Sequence, residues 1–362
     1  MTATTTAPVT GTVNSLTTGR LPKWVPWALL GASWAVFIVI FSFVAAAEGS
    51  EFNIAIAIFL GTIVFDVLLY IVALLVEGSR QATNRLVTSL VVTAFIVALL
   101  PLISLLFTVV VNGLPRFDIE FFTNSMRNVL GEGGGGLHAI IGTLLITGMA
   151  TLISVPVGLL TAIYLVEYGR GPLARAITFF VDVMTGIPSI VAGLFAFAFF
   201  SLILDNPAIR FGFGGAVALS LLMIPVVVRS SEEMLKLVPN ELREASYALG
   251  VPKWLTIVKI VIPTSIAGIT TGVTLAISRV IGETAPLLII AGFTTSMNYD
   301  LFNNQMMSLP VFLYTQFQNP GVVVQPYLDR SWAAALTLIL IVMALNLIAR
   351  LVAKIFSPKL GR

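Results

Sequence analysis

The sequence predicts an all-α membrane protein with about eight transmembrane helices. Of its 362 residues, 57% are hydrophobic and only 10% charged, and the mean hydropathy is +1.00. Soluble domains hold roughly 45–50% apolar and about 25% charged residues. Zero cysteines and a single histidine, His138, exclude disulfides, thiolate metal sites and histidine cages. The apolar residues fall in runs near the roughly 20 residues that a helix needs to cross a hydrocarbon core of about 30 Å.

In chain order the runs are 24–47, 52–76, 86–111, 139–166, 176–204, 214–230, 264–292 and 331–353. Residues 1–23 open with a polar, Thr-rich stretch that has no apolar centre, and read as a disordered cytoplasmic tail, not a cleaved signal. With that tail inside, 15 of the 20 Lys and Arg residues fall in cytoplasmic segments. Arg116, Arg127, Arg210 and Arg330 fall outside, and Arg279 lies within the seventh run. The positive-inside rule therefore places both termini in the cytoplasm. The net charge of +3 follows from these loops and implies no nucleic-acid partner.

Two outside stretches are long, 112–138 and 293–330. The first carries the glycine run 131–136, which lacks the G-x-x-x-x-G-K-[ST] pattern of a phosphate loop and reads as a flexible connection. Inside, residues 231–263 form a charged, amphipathic loop that Pro239 and Pro252 divide into short helices.

Several residues within the runs call for a role. Arg279 and Glu283 are four apart, one turn along a continuous helix, and a mid-bilayer charge costs roughly 2.5–3.5 kcal/mol on insertion scales. They are either a structural ion pair or charges of a pathway or gate. Thr264, Gly268, Gly272, Ala276, Arg279, Glu283 and Pro286 continue as one small, polar stripe with a Gly-x-x-x-Gly motif. Thr143, Thr147, Thr151 and Ser154 give the fourth run a hydroxyl face, suited equally to helix–helix hydrogen bonds and to a pathway. Gly186, Pro188 and Ser189 break the fifth run, and a broken helix can aim N–H groups at an anion. Arg229 ends the sixth run as a topological anchor or an anion guide. His138 reads as an interfacial residue at the outer end of the fourth run.

Glu244, Ala245, Gly250, Ile260 and Pro263 fit the spacing E-A-A-x(3)-G-x(9)-I-x-L-P, with Ser246 and Ile262 as mild departures. The loop thereby resembles the coupling segment of bacterial ABC importer membrane subunits, where a helix ending at a glycine turn docks on an ATPase. The bland alternative is an amphipathic helix on the membrane surface. SRVIGETAPLL at 278–288, GIPSIVAGLF at 186–195, GGGLHAIIGTLL at 134–145 and PVVVRSSEEMLKLVP at 225–239 resemble the PstA family of phosphate-importer permeases. Its sister, PstC, typically continues Gly-Glu-Thr with Met-Ala, so Ala285, Pro286 and Leu287 favour PstA.

The resemblance covers about 86–362 and implies a six-helix permease core with the coupling loop 231–263, similar to a type I ABC importer transmembrane domain. Residues 24–85 would then be two accessory helices, with Asp66 inside the membrane. It implies a multi-pass subunit of the bacterial cytoplasmic membrane and, as partners, a PstC-like sister, an ATP-binding subunit dimer and an extracytoplasmic phosphate-binding protein. ATP and Mg would bind the ATPase, with no cofactor in this chain. Arg229, Arg279, Glu283, Thr143, Thr147 and Ser189 are the candidates for the path or gate. An importer of sulfate, molybdate or phosphonate is the nearest alternative, and GETAPLL argues against it. An ion-coupled secondary transporter would leave the 231–263 loop unexplained.

The distribution of basic residues has a direct check. A reporter active only outside the cell should work when fused after residue 120 or 300 and fail after 82 or 240; activity at 240 would invert the topology.

Overall fold

We describe a computed structural model of the chain, covering Gly19 and residues 21–48 and 53–356. The Thr-rich segment, Arg20, Lys359 and Arg362 lie outside the described residues. All the regular elements described are helical, as a bilayer requires of a chain that must satisfy its own backbone groups. Two compact units divide at Leu105/Leu106, inside the helix that the sequence assigns as the first of the six-span core.

In the first unit, α1 (Val25–Glu48) packs on α2 (Ile54–Glu77). Ala57, Gly61, Phe65, Leu69 and Ala73 recur every four residues and are buried along α2. Trp34 crosses that seam and donates its Nε1–H to the Thr62 hydroxyl at 3.0 Å. Asp66, central in α2, is buried and accepts a hydrogen bond from Ser89 on α3 (Ser79–Gly113). At the α2–α3 turn, Arg85 pairs with Glu77 at 2.5 Å.

In the second unit, a five-residue helix α4 (Ile119–Thr123) precedes α5 (Leu137–Ile163), which ends in a π-turn, Tyr164–Tyr168. Then come α6 (Pro172–Thr185), α7 (Ser189–Ile203) and α8 (Gly212–Lys236). α5 and α8 run side by side through small residues. A Cβ at Gly158 would sit 2.7 Å from Val227 and one at Gly215 3.5 Å from Ile146. Ser220 Oγ also reaches the Ala150 carbonyl at 3.4 Å.

The chain continues through α9 (Asn240–Ala248), α10 (Lys253–Thr256), a second π-turn at Ile257–Val261, and α11 (Ile262–Val280). After a break come α12 (Ala285–Ile290), α13 (Leu309–Gln318) and α14 (Gln325–Phe356). Seven of the described helical segments are long and apolar enough to cross a membrane, or eight if the bent pair α6–α7 is one span.

Two of the expected spans differ in kind. The fifth begins at Pro172 and bends by 110° at Gly186–Pro188, because proline withdraws an N–H and constrains the residue before it. The seventh begins at Lys253 and ends at Val280, and 281–284 are not helical. Pro286 has no N–H to bond the Gly282 carbonyl, so the helix restarts as α12.

The glycine run is a built corner, correcting its reading as a flexible connection. Fully buried Arg330 donates from Nη1 to the carbonyls of Gly131 and Gly133 at 2.7 and 2.9 Å, and from Nε to Gln316 at 3.0 Å. Arg116 donates to the Gly134 carbonyl at 2.6 Å. A Cβ at Gly135 would lie 2.5 Å from the Phe121 carbonyl oxygen. His138 is likewise buried and not interfacial, with its ring edge-on to Phe312 at 5.4 Å.

One turn further, Gly142 lies against the Met307 carbonyl, where any Cβ would overlap the oxygen. Gly142→Ala must therefore part α5 from the start of α13, at an overpacking cost of about 1–3 kcal/mol. Thermal unfolding in detergent should show a lowered midpoint for Gly142→Ala and little change for Gly148→Ala, whose Cβ would meet nothing within 4 Å; equal midpoints would refute this packing.

Candidate functional site: a broken-helix centre and a docked loop

α7 and α12 each follow a break in a longer helical path, and they pack together where a Cβ on Gly193 would lie 2.5 Å from Pro286 Cα. Ser189 is one turn before that contact and Glu283 three residues before it. The two breaks, 186–188 and 281–284, thus stand just upstream of a shared seam. Ser189 opens α7 after Pro188 and is half-buried.

Arg229, on α8, reaches towards the same region. It pairs with Asp182, three residues before the end of α6, and with Glu232 at 2.9 Å, while Lys236 pairs with Glu232 at 2.7 Å. Two cations and two carboxylates form one cluster. Arg229 therefore carries no free charge for an anion in this conformation.

Arg279 and Glu283 are not partners. Arg279 is exposed on the last turn of α11 and Glu283 is half-buried beyond the helix end; among the described residues neither forms an ion pair. Their four-residue spacing marks one helix face only while the helix lasts, and it ends between them. The small, polar stripe also divides. Gly268 and Gly272 lie against Met234 and Ser230 of α8 and Ala276 is buried with them, whereas Thr264, Thr271, Leu275 and Arg279 are exposed. The chain leaves that second face of α11 uncovered.

The hydroxyl face of α5 turns inward. Thr143, Thr147 and Ser154 are buried, and Thr143 Oγ1 accepts the Leu309 N–H at 2.7 Å while donating to the Ala139 carbonyl at 2.8 Å. Thr143 thus caps the start of α13. Among the described residues, no group of three His, Asp or Glu side chains gathers as a metal site would require.

The loop between α8 and α11 is held in place. Arg243 of α9 donates Nε and Nη2 to Glu167 Oε1 at 3.0 and 2.9 Å, Nη2 to the Leu235 carbonyl at 3.0 Å and Nη1 to the Val238 carbonyl at 2.5 Å. Ser246 and Thr256 hydroxyls meet at 2.8 Å, both buried. On the other side of α9, Glu244, Ala245, Leu249 and Gly250 are exposed. Gly250 has φ +76° and no heavy atom of the chain within 4 Å of a would-be Cβ, so the turn is glycine's by conformation and open by space. Ile260 is half-buried in the π-turn and Pro263 is exposed at the start of α11.

With this geometry established, comparison with known proteins places the chain. Residues 154–362 match the family described as binding-protein-dependent transport system inner membrane component. Phosphate transport system permease protein PstA 1 of Mycobacterium tuberculosis (strain H37Rv) is 49% identical over 278 residues, 75% of this chain and 88% of that protein. The chain belongs to the PstA permease family. PstA of Pasteurella multocida is 40% identical over 77% of this chain and 96% of its own length. Among solved structures, the MetNI methionine ABC transporter aligns at 18% identity over 61% of this chain and 94% of its own, with a TM-score of 0.47.

The contrast between the two arginines is testable in the isolated chain. Arg279→Ala strands no ion-pair partner among the described residues and should change the unfolding free energy by less than about 0.5 kcal/mol, leaving the midpoint nearly unmoved. Arg243→Ala strands Glu167 and two carbonyls, and losing hydrogen bonds to a charged group should cost about 1.5–3 kcal/mol. Equal midpoints would contradict the assigned partners.

Proposed function

We propose that the chain is the permease half of an ATP-driven phosphate importer in the bacterial cytoplasmic membrane, with both termini in the cytoplasm. It pairs with a PstC-like sister across the uncovered face of α11, receives phosphate from an extracytoplasmic binding protein, and couples through α9 to an ATPase dimer that binds ATP and Mg. The observation that carries the reading is α9 itself. A charged loop that merely lay on lipid would turn its apolar residues into the membrane; here the inner side is occupied by Arg243 and Ser246, and Leu249 is 83% exposed beside the open Gly250. Membership of the PstA family supports phosphate as the cargo over other oxyanions.

Phosphate carries one or two negative charges at neutral pH and suits the guanidinium fork. Arg279 is the unpaired cation on the face left for the sister. Arg229 loses one of its two carboxylate partners when Asp182 on α6 moves from it and keeps Glu232 on its own helix, so part of its donor fork is offered in one state and withdrawn in another. The backbone at the start of α7 adds N–H groups beside Ser189. Thr143, by contrast, is committed to α13.

Gly250→Trp tests the docking surface. A Cβ at this position meets no heavy atom of the chain within 4 Å, and a bulky residue at positive φ costs about 1–2 kcal/mol locally, so insertion should persist while ATPase co-purification and labelled-phosphate uptake are lost. Normal stoichiometry with normal uptake would refute the assignment.

A further inference from the structure

Glu167, in the π-turn that ends α5, is gripped twice by the α9–α10 segment. Arg243 holds its carboxylate through two donors, and Lys253 donates to its carbonyl while lying 4.7 Å from the Tyr168 ring centroid. The ion pair is largely enclosed, with the Arg243 and Glu167 side chains 12% and 5% exposed. Arg243 also binds the carbonyls of Leu235 and Val238 at the end of α8. The end of α5, remote in sequence, and the α8–α9 junction therefore share one guanidinium.

We propose, resting on the importer reading above, that Glu167 and Arg243 are positioning residues that lock α9 to α5, making α5 a rod driven by the ATPase. α9 is connected through the backbone to α8 by 237–239 and to α11 by 249–261. Its polar link to the end of α5 is the ion pair, across 76 positions of sequence, and it stands beside the apolar packing of Leu159, Ala162 and Ile163 on Leu235 and Val238. The 27-residue α5 extends about 40 Å and, although Pro156 removes one hydrogen bond within it, is stiffer along its axis than a loop. At its other end Gly142 seats the Met307 carbonyl and Thr143 holds the Leu309 N–H. A displacement of α9 is thereby delivered to the 306–309 segment at the opposite end of the bundle, where α13 begins. The π-turn carrying Glu167 lies between rod and clasp, a geometry that recurs at functional positions in helices.

The test uses the whole complex in liposomes, with the partners' own cysteines removed. Glu167→Gln keeps an acceptor but loses the charge. It should assemble with a normal amount of ATPase and hydrolyse ATP without binding protein at a near wild-type rate, while binding-protein-dependent phosphate uptake falls about tenfold or more. This chain has no cysteine, so Glu167→Cys with Arg243→Cys provides a unique pair. Uptake should be low in that double variant and recover most of its loss when a short bis-maleimide joins the two thiols, since the link replaces the ion pair. Wild-type uptake by Glu167→Gln, failure of that variant to assemble, or a cross-link that leaves uptake low would each overturn the proposal. A wild-type complex without ATP-dependent phosphate uptake would overturn the importer reading instead.

Discussion

Helices in a bilayer gain nothing by hiding apolar surface from lipid, so their association rests on close packing and on hydrogen bonds made inside the protein. In the second unit that constraint is met along α5 and α8, and the other elements are placed against this pair. Gly158 allows Val227 to approach, and Ser220 reaches across to the α5 backbone. α11 closes on α8 because Gly268 and Gly272 leave room for Met234 and Ser230. α7 and α12 meet through Gly193 and Pro286. Where the packed helices emerge, arginines complete the enclosure: Arg330 closes the glycine corner near one end of α5 and Arg243 the loop at the other.

That arrangement separates arginines that are enclosed from arginines that stand at exposed or shared positions. Arg330 and Arg243 are buried or nearly so and are bonded to carbonyls or a carboxylate. Arg229 is shared between two carboxylates on different helices, which ties its availability to the position of α6. Arg279 stands free on a face the chain does not cover. In the importer reading proposed above, a path for an anion needs charges that attract without holding, and Arg279 with a conditionally released Arg229 would meet that need.

What could be read in advance follows from the range of each interaction. Apolar runs, the proline and glycine breaks at 186–188 and the turn at Gly250 are local, and each is visible within a few residues of sequence. The end of α11 was also local in principle, since Pro286 withdraws an N–H from the preceding turn, but the apolar run continued to 292 and concealed it. The Arg243–Glu167, Arg229–Asp182 and Arg330–Gly131 contacts join residues 76, 47 and 199 positions apart. No spacing rule reports them. The same is true of His138, whose position near a span end suggested the interface, whereas packing against Phe312 buries it. The glycine run carried a usable signal: five glycines within six residues allow carbonyls to converge on a guanidinium such as that of Arg330.

The account stands most directly on the claim that this chain forms part of an ATP-driven phosphate path. Co-expressed with its sister, ATPase and binding protein, and reconstituted in liposomes, the complex should accumulate labelled phosphate only when ATP and Mg reach the ATPase and loaded binding protein is present on the other side. Excess unlabelled sulfate should leave the rate unchanged. Uptake that follows an imposed ion gradient without ATP, or that sulfate suppresses as well as phosphate does, would contradict the account.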